Sequence, residues 1–110
     1  MLVARYGVIV TPEAQHAIAE AYHFIRHRSP TKAAKWVRGL YARIDTLESL
    51  PERYGPSYQQ AYFEEELRQL VYKSHWIVFA IDEARKIVWV VYVRRAKRRP
   101  VGDPGSEESE

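Results

Sequence analysis

The chain has 110 residues, 46% apolar and 13% aromatic, with no cysteine and a formal net charge of +3. That is one domain's worth of core, too apolar for a disordered segment, and the missing thiols exclude a disulfide framework and any thiolate metal site. The longest apolar run, Ile87–Val93, falls far short of the ~20 residues a membrane-spanning helix needs, and no signal-peptide pattern opens the chain, so a soluble protein of a reducing cytosol is expected.

Residues 2–10 read as a strand that stops at Thr11-Pro12. Thr11 suits a helix N-cap, Pro12 the first helical position, and Glu13 the positive end of the dipole. Ala14, Ala17, Ile18, Ala21, Tyr22 and Ile25 repeat at the spacing of one buried helical stripe. Pro30 disfavours helical geometry at Ser29, which ends this helix near Arg28, and Ser29-Pro30 repeats the cap signal to open a second. Its stripe is Ala33, Val37, Leu40, Tyr41, Ile44 and Leu47, with Trp36 at the edge, and it ends at Leu50-Pro51. So short a join predicts an antiparallel helical hairpin. Opposite the first stripe, His16, Glu20, His23 and His27 share a polar face; nothing completes a metal shell there, and no metal is expected.

Residues 51–64 combine Pro51, Gly55 and Pro56 with Tyr54, Tyr58, Tyr62 and Phe63, a loop unusually rich in aromatics. Glu64-Glu65-Glu66 follows, best read as solvated or paired with Arg53 and Arg68. Three strands come next, Leu67–Lys73, His75–Ile81 and Ile87–Arg94, with a hairpin turn at 82–85. Ile87–Val93 is apolar on both faces, which predicts an inner strand covered on each side. Trp36, Tyr41 and Trp89 lie on apolar faces and are assigned to the core, and His75 to a turn. Five of the six residues from Arg94 to Arg99 are cationic. The stretch 102–110 holds four of the 14 acidic residues and is expected to be a disordered acidic tail, leaving 17 bases against 10 acids in a domain over residues 1–101. A domain so charged attracts an acidic partner, protein or nucleic acid.

The order β-α-α-β-β-β predicts an α+β fold, a two-helix hairpin packed on a four-stranded, largely antiparallel sheet. This pattern resembles the RelE/ParE superfamily of bacterial type II toxins over residues 3 to about 99. The likeness rests on the strand leading into Thr11-Pro12-Glu13-Ala14, the Ser29-Pro30 break, Leu67-Arg68-Gln69-Leu70-Val71 ahead of Trp76-Ile77-Val78-Phe79-Ala80-Ile81-Asp82, and the final Val93-Arg94-Arg95-Ala96. It implies the cytoplasmic toxin of a plasmid-stabilisation module, held inactive by a cognate antitoxin whose C-terminal segment wraps the toxin surface. Whether such a toxin also pairs with itself stays open. RelE-like members cut messenger RNA on the ribosome, and ParE-like members poison DNA gyrase.

RNA cleavage needs a base, an acid and cations for the developing phosphate charge. RelE-like enzymes resemble one another in carrying lysines and arginines on the sheet and a Tyr or His shortly after the last strand. Here no Tyr follows Tyr92, no His follows His75, and the arginine position early in the third strand is Trp76. A nuclease built on this chain would have to use Arg68, Lys73, His75, Arg94 and Arg95. The departure favours the ParE-like branch, with Arg94, Arg95, Lys97, Arg98 and Arg99 on the target and Tyr54, Tyr58, Tyr62 and Phe63 receiving the antitoxin. Neither a Gly-rich phosphate loop nor a nucleophile elbow is present, so no cofactor is expected.

Overall fold

The computed structural model describes residues 5–57 and 66–96. The elements are β1 (Gly7–Val10), α1 (Pro12–Arg28), α2 (Pro30–Asp45), two short 3₁₀ turns (Thr46–Glu48 and Pro51–Arg53), β2 (Leu67–Tyr72), β3 (His75–Asp82) and β4 (Ile87–Arg95). Both caps form as the sequence predicts: the Thr11 hydroxyl accepts the Ala14 N–H at 3.2 Å, and the Ser29 hydroxyl accepts that of Lys32 at 3.2 Å. The Ser29 N–H also donates to Ile25 O, so one serine closes α1 and opens α2. The second helix stops at Asp45 instead of reaching Leu50, because the Thr46 hydroxyl donates to Arg43 O at 2.6 Å and the chain tightens into 3₁₀ geometry.

The sheet order is β1-β4-β3-β2, antiparallel throughout except for β1, which lies parallel to β4. Helices cover one face. Ile18, Trp36, Leu40 and Ile44 meet Leu70, Tyr72, Ile77, Phe79, Val88, Val90 and Val93 in one buried cluster. A bulge lies in β4: Phe79 pairs with Val90 and Val78 with Tyr92, so Val91 is the extra residue. Val88, Val90 and Val93 therefore all face the helices although their spacing changes from two to three.

The expectation for β4 holds in part. It is an inner strand, yet on the face away from the helices Trp89 and Val91 are half-buried and Tyr92 is exposed. Trp89 is thus not a core residue, because its register partner is Ala80 on that outer face. Tyr41 also leaves the core, being rotated one residue beyond the fully buried Leu40 into a shallow groove with Tyr22 and Val37. Trp36 moves the other way, from the stripe's edge into the core. Tyr72 lies against α2 at Gly39 and donates its hydroxyl to Trp36 O at 3.0 Å. Among the described residues no helix is long and apolar enough to cross a membrane.

Candidate functional site at the cationic end of the sheet

The exit of β4, the β2–β3 turn and the α1–α2 corner converge at one end of the molecule. The turn is tight: Lys73 adopts a left-handed backbone with φ of 54°, and the Ala96 N–H donates to Ser74 O at 2.9 Å, fastening the end of β4 to it. Arg95 pairs with His75 across the sheet, and Arg94 with Trp76. Side chains alternate along a strand, so these pairs stand on opposite faces. Ile77 and Val93, the next buried pair, place His75 and Arg95 on the helix side and Trp76 and Arg94 on the outer side.

His75 is the first residue of β3, not a turn residue, and it is buried with its ring edge-on to Trp36 at 5.0 Å between centroids. Burial lowers its pKa to about 4, with the Arg95 charge adding to the effect. The imidazole is therefore neutral at physiological pH. Its Nδ1 and the Ser74 hydroxyl are buried without a hydrogen-bond partner among the described residues.

Two adjoining clefts open above these groups. One, of about 410 Å³, runs between α1 and the end of β4 over Ser74 and His75. Its neighbour, of about 540 Å³, is lined by Arg28, Lys32, Lys35, Lys73 and Arg95 with Phe24 and Trp36. Among the described residues no carboxylate lines the second cleft. The described ion pairs involve Arg5, His16, Arg68, Arg85 and Lys86, none of them in this group.

Of the residues proposed for a nuclease, Arg68 stands apart from the rest. Arg68 sits at the opposite end of β2 from Lys73, five residues or about 16 Å along the strand. Its guanidinium donates to Glu52 O at 3.2 Å and Tyr54 O at 2.6 Å and pairs with Glu66 at 3.3 Å, so it fastens the loop after α2. Lys73, His75 and Arg95 gather at the cationic end, and Arg94, on the outer side by register, also borders the cleft over Ser74 and His75. Tyr54 is half-buried, its ring edge-on to Phe79 at 5.9 Å and its hydroxyl accepting from Arg53 at 3.1 Å. Lys97, Arg98 and Arg99, like Tyr58, Tyr62 and Phe63, lie outside the described residues.

Sequence reading missed Arg28, Lys32 and Lys35 because helical periodicity assigns them only to solvent. One signal was available. The first turn of α2 carries no acidic residue and places Lys32 near the positive end of its dipole, an unfavourable choice. Among the described residues no group of three or more His, Asp or Glu is arranged to hold a metal ion.

The chain matches the family model described as "ParE toxin of type II toxin-antitoxin system, parDE" over residues 8–100. No curated protein matches it by sequence. The fold is similar to that of the chromosomal ParDE system of P. aeruginosa, with a TM-score of 0.68, 15% identity and coverage of 86% of this chain and 99% of that one. It is also similar to the RelBE2 toxin–antitoxin complex of Mycobacterium tuberculosis (TM-score 0.56, 18% identity, coverage 86% and 95%) and to the archaeal RelE–RelB complex of Pyrococcus horikoshii (TM-score 0.52, 14% identity, coverage 86% and 99%). At these identities the structures speak for the fold, and the family model, which spans both helices and all four strands, speaks for descent. The chain is a member of the ParE toxin family of type II toxin–antitoxin systems.

Proposed function

We propose that this toxin works in the cytoplasm by binding and poisoning DNA gyrase, and that a cognate antitoxin keeps it silent. The supporting observation is the Trp76–Arg94 pair. The position from which a ribosome-dependent nuclease would present a cation holds an indole, and the nearest titratable base, His75, is neutral, buried and on the other face. An activity that needs a charged contact surface survives this arrangement, whereas proton transfer to a leaving oxygen does not. Arg94 and Arg95, with Lys97, Arg98 and Arg99 beyond them, make the target contact in this reading. Tyr54, whose ring packs edge-on against Phe79, receives the antitoxin together with Tyr58, Tyr62 and Phe63.

Expression of the chain with and without an antitoxin tests the proposal, with plasmid topology and ribosome-associated message followed in parallel. Relaxed or linearised plasmid that depends on gyrase is the expected result. Codon-phased cuts in message with normal topology would overturn it in favour of the nuclease branch.

A further inference from the structure

Five cations from four separate segments surround the 540 Å³ cleft: Arg28 from the end of α1, Lys32 and Lys35 from α2, Lys73 from the β2–β3 turn and Arg95 from the end of β4. Like charges gathered this closely repel one another, and among the described residues no lining carboxylate offsets them. Two local features deepen the imbalance. The α2 N-terminus adds its own positive dipole, with no acidic residue in the first turn, and Lys73 reaches the rim from a left-handed backbone. A surface that only solubilised the protein would intersperse both signs, as the Arg5–Glu48, Arg85–Asp82 and Lys86–Glu83 pairs do elsewhere. Phe24, 58% exposed, stands in the same cleft. An exposed aromatic ring framed by cations that make no ion pair among the described residues combines the two elements that hold an unpaired strand: charge for the phosphodiester backbone and an apolar face for a base.

We infer that this cleft binds single-stranded nucleic acid, with Arg28, Lys32, Lys35, Lys73 and Arg95 on successive phosphates and Phe24 stacked under a base. The contact goes beyond gyrase recognition and stands independently of it, because it concerns the isolated chain and a bare strand. Single strands are favoured over duplex because a paired base offers its face to its neighbours and not to Phe24. They are favoured over an acidic polypeptide because carboxylates would leave that ring unused.

Fluorescence anisotropy of a labelled 12-nucleotide oligo-dT with the full chain tests this, over a series of salt concentrations. The variant Lys32→Gln/Lys35→Gln/Lys73→Gln should weaken binding about tenfold or more and flatten the log–log salt dependence by about 2, as expected for three lost phosphate contacts. The control Arg5→Gln/Arg38→Gln/Arg85→Gln, with the same change in charge, should lose less than about threefold. Phe24→Ala should cost about fivefold or more through lost stacking. All these side chains are exposed, and circular dichroism checks that each variant folds. Equal losses for the two triple variants would overturn the inference, since net charge alone would then explain binding. So would a silent Phe24→Ala together with equal competition by oligo-glutamate, which would assign the cleft to an acidic polypeptide.

Discussion

Tyr72 lies so close against Gly39 that a β-carbon on the glycine would overlap the phenol hydroxyl and stand 3.0 Å from Cζ. The hydroxyl donates to Trp36 O at 3.0 Å, which locks the end of β2 onto the middle of α2. Glycine in a helix interior costs up to about 1 kcal/mol relative to alanine, yet here the crowding outweighs that gain. Gly39→Ala should destabilise the chain by about 2 kcal/mol, read from the urea midpoint at unchanged slope. Gly39→Ala combined with Tyr72→Phe should recover part of the loss, because the hydroxyl is the nearest obstacle. Full additivity would show that ring and glycine are not in contact.

Tyr6, buried at the start of the sheet, donates to Glu83 Oε1 at 2.9 Å and to Oε2 at 3.1 Å. Lys86 pairs with the same carboxylate at 3.2 Å, and its ammonium lies 5.1 Å from the centre of the Tyr6 ring. The hydrogen bond from Tyr6, then that from Lys86, holds the Glu83 pKa below its ordinary value. A lowered carboxylate pKa contributes stability that is fully present above the ordinary carboxylate range and is lost as pH falls through the folded value. Tyr6→Phe should therefore lower the urea midpoint most at neutral pH, and the difference should close in strong acid. A deficit independent of pH would mean that the phenol acts only through packing.

His75 gives a pH dependence of the same sign in a higher window. Its folded pKa of about 4 lies below the ordinary histidine value, so between pH 6.5 and 4 the unfolded chain takes up a proton that the folded one refuses. Stability should fall across that window by about 2 kcal/mol, allowing for screening at the cleft, and stay flat in this respect above it. Titration of the imidazole by NMR should show a neutral ring down to about pH 4. An ordinary titration near neutrality would show that the cleft admits water to His75.

Arg68 and the Arg94–Arg95 pair should separate cleanly. Arg68→Ala removes charged hydrogen bonds to Glu52 O and Tyr54 O and should cost about 2 kcal/mol of stability. Arg94→Ala/Arg95→Ala breaks no described ion pair or side-chain hydrogen bond and should stay within about 0.5 kcal/mol of the parent while losing toxicity. Growth assays beside urea melts measure both. Full toxicity of the double variant would remove the end of β4 from the mechanism.

Much of this architecture was legible in the chain because it is locally encoded. Thr11-Pro12 and Ser29-Pro30 fix where the helices begin, and the stripe through Ile18 and Ile25 fixes which face of α1 turns inward. Tyr41 and Trp89 were misplaced because apolar character says nothing about which of two faces a neighbour covers. The cleft was invisible for a related reason. Arg28, Lys35 and Lys73 are unremarkable surface residues along the chain, and only the helical corner folding over the β2–β3 turn brings them together.

The extra residue Val91 has an effect out of proportion to its size. Were it paired instead of bulged, strict alternation would set Arg94 opposite His75 and turn Arg95 beyond the hydrogen-bonded register, while Tyr92 rather than Val93 would point at the helices. Closing the bulge with Val91 kept in the ladder would thus exchange the two guanidinium groups between the sides of the sheet and drive a phenol into the core, whereas excising Val91 would leave both arginines where they are. The direction from which a partner meets each arginine is set three residues upstream, by a miscount between neighbouring strands.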